Sequence, residues 1–285
     1  MVDREKYREK LREEYAHSDQ LSSLPYEVGV YTQGKVGSKA VLAALEDAFG
    51  VYPPDETGMY VWDYRRSDME GVRQHQLITG TRRRLLSDDP EVAQFMVEHP
   101  DRDFKVTSVV REPVAINLSS FFYNFVPRNP GVDINELTDE EIVERLLKGE
   151  SFSSPSFHLD WWDIEVKPMT GINVYEHGMF PIEDGSEVYS ADLGERHTDI
   201  LVIRQENIRD VARVALSRYY GIEVPELERV NTAEDSPNNY SNRYEQFKVG
   251  ANLPEEWVLW QLDSKYARFF YSDEEREKFC NKWIR

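Results

Sequence analysis

Two short stretches carry residue types and spacings suited to gripping oxyanions. The first is Gln33-Gly34-Lys35-Val36-Gly37-Ser38-Lys39. Its glycines let backbone N–H groups come close to an anion, its two lysines supply full charge, and Ser38 adds a hydroxyl. The second is Arg111-Glu112-Pro113, with Ser119 eight residues beyond Arg111. A guanidinium presents a planar fork of donors to the oxygens of a phosphate or sulfate. The chemistry such groups can do is anion binding and the electrostatic stabilisation of charge growing on a departing oxygen.

Each stretch needs a scaffold, and the flanking residues predict one. Val28 and Val30 alternate as in a strand, whereas Val41, Leu42, Leu45 and Phe49 recur at helical spacing, so the first stretch is a strand-to-helix loop. The helix that follows presents unpaired N–H groups and the positive end of its dipole to that loop. Phe104 to Arg111 reads as a buried strand, Pro113 suits the first turn of a helix, and Val114 to Phe122 continue apolar at helical spacing. The pattern G-x-x-x-x-G-K from Gly29 to Lys35 suggests a nucleoside-triphosphate loop. Val36 stands where the Mg²⁺-holding Ser or Thr belongs, and Gly29 lies inside the strand pattern.

Lys35-Val36-Gly37-Ser38-Lys39 resembles the Lys-x-Gly-Thr/Ser loop of sulfotransferases that use 3′-phosphoadenosine 5′-phosphosulfate (PAPS). The resemblance implies that Gly34, Lys35, Val36, Gly37, Ser38 and Lys39 hold the 5′-phosphosulfate. Arg111-Glu112-Pro113 with Ser119 resembles the same family's 3′-phosphate element, which assigns Arg111 and Ser119 to that phosphate. The strand Asp199 to Arg204 and its exit Gln205-Glu206-Asn207 are similar to the family's later strand near the adenine, with Gln205 replacing a tyrosine. Phe269-Phe270-Tyr271-Ser272-Asp273-Glu274-Glu275 and the closing Asn281-Lys282-Trp283 resemble the ending of bacterial capsular polysaccharide synthesis proteins of the Asn-Lys-Trp-Tyr-Ser type. Ile284-Arg285 departs from that ending. Lys248 is a candidate to reach the 3′-phosphate from a loop.

The resemblance implies a three-layer α/β fold, with a mainly parallel central sheet flanked by helices, of the P-loop NTPase-like sulfotransferase type. It spans one domain over 1–285: an N-terminal helix at 3–16, the 5′-phosphosulfate loop at 33–39, the 3′-phosphate element at 104–122 and a C-terminal helical part at 253–285. It further implies PAPS as co-substrate, adenosine 3′,5′-bisphosphate as product, no metal, and a hydroxyl of a glycan, glycolipid or small metabolite as acceptor. Lys35 then stabilises the leaving phosphate. His75, at the end of a presumed second strand, is the first choice for the base, a group worth about 10² to 10⁴ in rate. His158 and Glu70 are substitutes. A nucleotide kinase or NTPase, and a non-catalytic protein of a polysaccharide locus, remain alternatives.

Lys and Arg number 34 against 53 Asp and Glu, a formal charge of −19. That balance argues against nucleic acid as partner, because a phosphate backbone demands a basic footprint. It requires positive charge to be concentrated wherever an anionic ligand binds, and it is shared by salt-adapted proteins. The single cysteine, Cys280, precludes an internal disulfide. No apolar run reaches bilayer length and the N-terminus lacks a signal-peptide core, so a cytoplasmic protein is expected. Candidate strands lie at Met59–Tyr64 and Val72–Ile78, helices at Val92–Glu98 and Phe157–Ile164, a small hairpin within Met169–Glu195, and a lid-like polar loop at Asn231–Asn242. Pro127 to Asp133 reads as a loop, and Thr138 with Glu141 as a capping box.

Overall fold

The computed structural model describes residues 24–49, 75–78, 83–84, 101–150, 155–227 and 240–284; at 75–78 and 83–84 it describes the backbone alone. The N-terminal helix at 3–16, the strand at Met59–Tyr64, the helix at Val92–Glu98, Glu70 and most of the polar loop at 231–242 lie outside these residues.

Six strands form one sheet: β1 (Tyr26–Tyr31), β2 (His75–Ile78), β3 (Arg83–Arg84), β4 (Asp103–Val110), β5 (Ser186–Leu193) and β6 (Arg196–Arg204), in the order β3-β2-β1-β4-β6-β5. β1, β4 and β6 are neighbours and run parallel. β2, β3 and β5 join antiparallel, making the sheet mixed with a parallel centre. β5 must oppose β6, because only the two residues Gly194 and Glu195 separate them and a parallel return needs a long crossover. Gly194 takes the positive φ (69°) that such a turn favours.

Side-chain alternation along the strands builds a helical layer on each face. Leu201 and Ile203 pack with Val28, Val30 and Val109 against α1 (Ser38–Ala48) and the helix Ile208–Tyr220. Ile200 and Val202 point the other way, with Phe104, Val106 and Val110, into a cluster holding Trp161, Trp162, Tyr266 and Phe270. A third cluster gathers along α2 (Pro113–Arg128), where Val114, Leu118, Phe121, Phe122 and Phe125 are fully buried against Tyr244, Phe247 and Trp283.

Several local expectations are met, and others shift for identifiable reasons. Thr138 and Glu141 form a reciprocal capping box on α3 (Asp139–Leu147). α2 runs on to Arg128 and carries Pro127 inside its last turn, so the loop begins later than Pro127. The helix expected over Phe157–Ile164 starts at Pro155 and passes at Trp162 into a π turn ending at Val166, which brings both Trp161 and Trp162 into the core. Lys248 sits in the last turn of the helix Ser241–Gly250 and not in a loop. After α4 (Pro155–Trp161), α5 (Lys167–Thr170), α6 (Ile208–Tyr220) and α7 (Ser241–Gly250), the C-terminal part holds three helices, α8 (Glu255–Leu262), α9 (Lys265–Phe270) and α10 (Asp273–Trp283). Among the described residues no helix is long and apolar enough to cross a membrane.

Candidate functional site

The strand register lines up three of the expected site positions. Val30 is level with Thr107 on β4 and both strands run the same way, so the chain leaves β1 for Gly34 at the edge where β4 ends at Val110, just before Arg111. Val110 is level with Arg204 on β6, which sets Arg111 level with Gln205. The exits of β1, β4 and β6, which lead to Gly34, Arg111 and Gln205, thus share the carboxyl edge of the parallel centre, where open α/β sheets bind their ligands.

Between β1 and α1 the chain turns through two left-handed residues, Lys35 (φ 68°) and Gly37 (φ 92°). Only at Gly37 does glycine remove the steric cost of that conformation; Lys35 bears it. A Cβ on Gly37 would sit 3.7 Å from Gln205 Cγ, so the loop also packs on the β6 exit. Gly37 is the N-cap of α1 and offers no side-chain cap, and the first turn carries Ser38 and Lys39 with no acidic residue. The N–H groups of that turn therefore face the loop without a carboxylate of their own helix.

Arg111 closes the gap between the two motifs. Its Nη1 donates to the Lys35 carbonyl at 2.9 Å, using one of the five N–H donors of the guanidinium. Lys35 extends along α2, with Nζ 3.8 Å from the centre of the Tyr123 ring. Ser119 lies four residues before Tyr123, on the same face of α2, which faces the loop. Lys35, Lys39, Arg111 and Ser119 are accordingly brought to one side of the sheet edge.

The electrostatics agree with this crowding. Lys35 is lowered to about 7, first by burial and then by the charges of Lys39 and Arg111. Lys39 is lowered to about 8 by burial. In a chain of net charge −19, cations are here packed closely enough to oppose one another's protonation.

Behind the cations sits a carboxylate pair that sequence reading overlooked. Glu112 is buried and caps α2, accepting from the N–H groups of Val114 (2.8 Å) and Ala115 (3.1 Å). Burial pushes it up to about 7, against the pull of Lys282. Its own N–H donates to Glu206 Oε1 at 2.9 Å. The Trp283 indole donates to Glu112 Oε2 at 3.2 Å, and Lys282 Nζ lies 4.2 Å over that indole ring. Burial lowers Lys282; Glu112 raises it again, and Arg111 and Lys248 lower it, so all four charges lie within electrostatic reach. An acid directly before a helix-opening proline was the signal for the Glu112 cap. Tyr123, one turn past Ser119, was legible as a neighbour of the same face. Nothing local pointed to Glu206 or to the placement of Lys282.

The remaining candidates separate. His75 opens β2 instead of closing it, and because β2 runs antiparallel to β1 its backbone pairs with Tyr31, at the end of β1 just before the loop. His158 is buried, with Nε2 3.5 Å from Ser120 Oγ, the residue after Ser119 on α2. Lys248 pairs with Glu245 at 2.6 Å and lies within electrostatic reach of Lys282.

No protein-family model, curated protein or solved structure matches the chain.

Proposed function

We propose that this protein is a sulfotransferase that moves a sulfuryl group from PAPS to a hydroxyl of a glycan, glycolipid or small metabolite. The 2.9 Å bond from the Arg111 guanidinium to the Lys35 carbonyl carries the reading, because it makes one site of two motifs that the resemblance assigns to opposite ends of one nucleotide. The site fits a doubly anionic ligand: a helix start without a side-chain cap, Lys39 and Arg111 both within electrostatic reach of Lys35, and the neighbouring exits of β1, β4 and β6 that lead to Gly34, Arg111 and Gln205. In this reading Lys35 and the amides of Gly37, Ser38 and Lys39 take the 5′ end, Arg111 and Ser119 the 3′ end.

In the reaction the acceptor oxygen forms a bond to sulfur as the bond from sulfur to the 5′-phosphate oxygen breaks. The acceptor's proton passes to a base, for which His75 is the first choice by its place beside the end of β1. Charge grows on the 5′-phosphate, and Lys35 with the loop amides stabilises it there. Lys35 starts near neutrality in its own pKa, so the arriving anion recharges it.

A thermal-shift panel tests the reading. Adenosine 3′,5′-bisphosphate should raise the melting temperature, by about 2.7 kcal/mol in stability at a hundredfold excess over its Kd. Stabilisation by Mg-ATP alone would favour a nucleotide kinase, and response to neither would favour a non-catalytic protein.

A further inference from the structure

The two anion-gripping strand exits are joined by a side chain from far along the sequence. Tyr266, in α9, is fully buried, and its ring packs on Phe270 with centroids 5.1 Å apart. Its hydroxyl accepts from Gln33 Nε2 at 3.0 Å and from the Arg111 N–H at 3.1 Å, and it donates to the Arg111 carbonyl at 2.8 Å. A phenol has one proton to donate and lone pairs to accept with, so these three bonds use it fully.

The partners are informative. Arg111 lies one residue past the end of β4, where its backbone N–H and C=O leave the sheet ladder and need new partners. Tyr266 takes both. Gln33 is the first residue of the 33–39 loop, directly before Gly34, and is itself fully buried. Both residues bonded by the phenol therefore adjoin or belong to the two motifs. Burial raises the Tyr266 pKa, so the phenol keeps the proton it donates.

We infer that Tyr266 is a positioning residue whose hydroxyl fixes the spacing of the β1 and β4 exits to the span of a single ligand that carries phosphate-like groups at both ends. The inference rests on the nucleotide reading of the site. A ligand that touches one exit is indifferent to the spacing; a ligand that bridges both gains from having it set beforehand.

Calorimetric titration of Tyr266→Phe with adenosine 3′,5′-bisphosphate, adenosine 5′-monophosphate and adenosine 3′-monophosphate separates these cases. The variant keeps the ring and loses only the three bonds. Affinity for the bisphosphate should fall about tenfold, while either monophosphate changes by less than about twofold. Gln33→Met breaks the same tie from the other side and should give the same selective loss; it carries the comparison if Tyr266→Phe fails to fold. An unchanged bisphosphate affinity, or an equal loss for all three ligands, overturns the positioning role and leaves the nucleotide reading in place. Wild-type protein that binds none of the three overturns the nucleotide reading and the positioning role with it.

Discussion

Three helix starts in this protein present the same backbone physics and are finished differently. α3 opens with Thr138 and Glu141 capping each other's N–H groups, and with Asp139, Glu140 and Glu141 in the first turn. α10 repeats the arrangement with Ser272, Glu275, Asp273 and Glu274. α1 opens on a left-handed glycine with no side-chain cap, no acid and a lysine in its first turn. Every helix start exposes unpaired donors and a positive dipole end. In a chain with 53 acidic residues, two of these ends are closed by carboxylates of the chain itself, and the third meets Lys35, Lys39 and Arg111. The difference separates an end built for stability from one suited to an outside anion.

Lys35→Ala attacks that distinction most directly. It should lower turnover in a labelled-donor assay by about 10² to 10³, the usual cost of losing a preorganised donor to developing charge. A variant retaining most of its turnover would remove Lys35 from the chemistry. Arg111→Ala should weaken adenosine 3′,5′-bisphosphate about tenfold to a hundredfold in calorimetry, the value of a charge-assisted bond to phosphate. Unchanged affinity would take Arg111 out of the site.

At the capped end the expectation reverses. Thr138→Ala should cost about 1 kcal/mol of stability in denaturant unfolding, as N-cap removals do, and leave nucleotide affinity alone. An affinity change there would dissolve the contrast between the two ends. The smallest effect concerns protons. Lys35 and Lys39 sit near 7 and 8 in the free protein, below their ordinary lysine value, so they hold fewer protons than free lysines from about pH 7 to about 10. A bound anion favours their charged forms, so binding should take up as much as about one proton near pH 8 and weaken as pH rises above 7. Titrations in buffers of differing ionisation enthalpy read that uptake directly; equal enthalpies in all buffers would argue against lysine as the ligand.

What sequence reading reached was local. The strand-loop-helix around Gly34 to Lys39, the strand ending at Arg111 with its Pro113 helix, and the Thr138 capping box are each written in a few consecutive residues, and each is present. It missed the Glu112 cap although the signal lay within a tripeptide. It placed Lys248 in a loop, because the apolar spacing of Ser241–Gly250 is too weak to announce a helix.

The amino-acid sequence by itself determined which residues could hold an anion and on which element each would ride, since backbone preference, glycine conformation and helix capping act over a few residues. Only the tertiary structure decided that they act together. The Arg111 bond to Lys35 spans 76 positions, the Tyr266 tie to Arg111 155, and the Trp283 bond to Glu112 171. Such pairings follow from strand order and from how the C-terminal helices bury their aromatic faces, and no neighbouring residue in the chain encodes them.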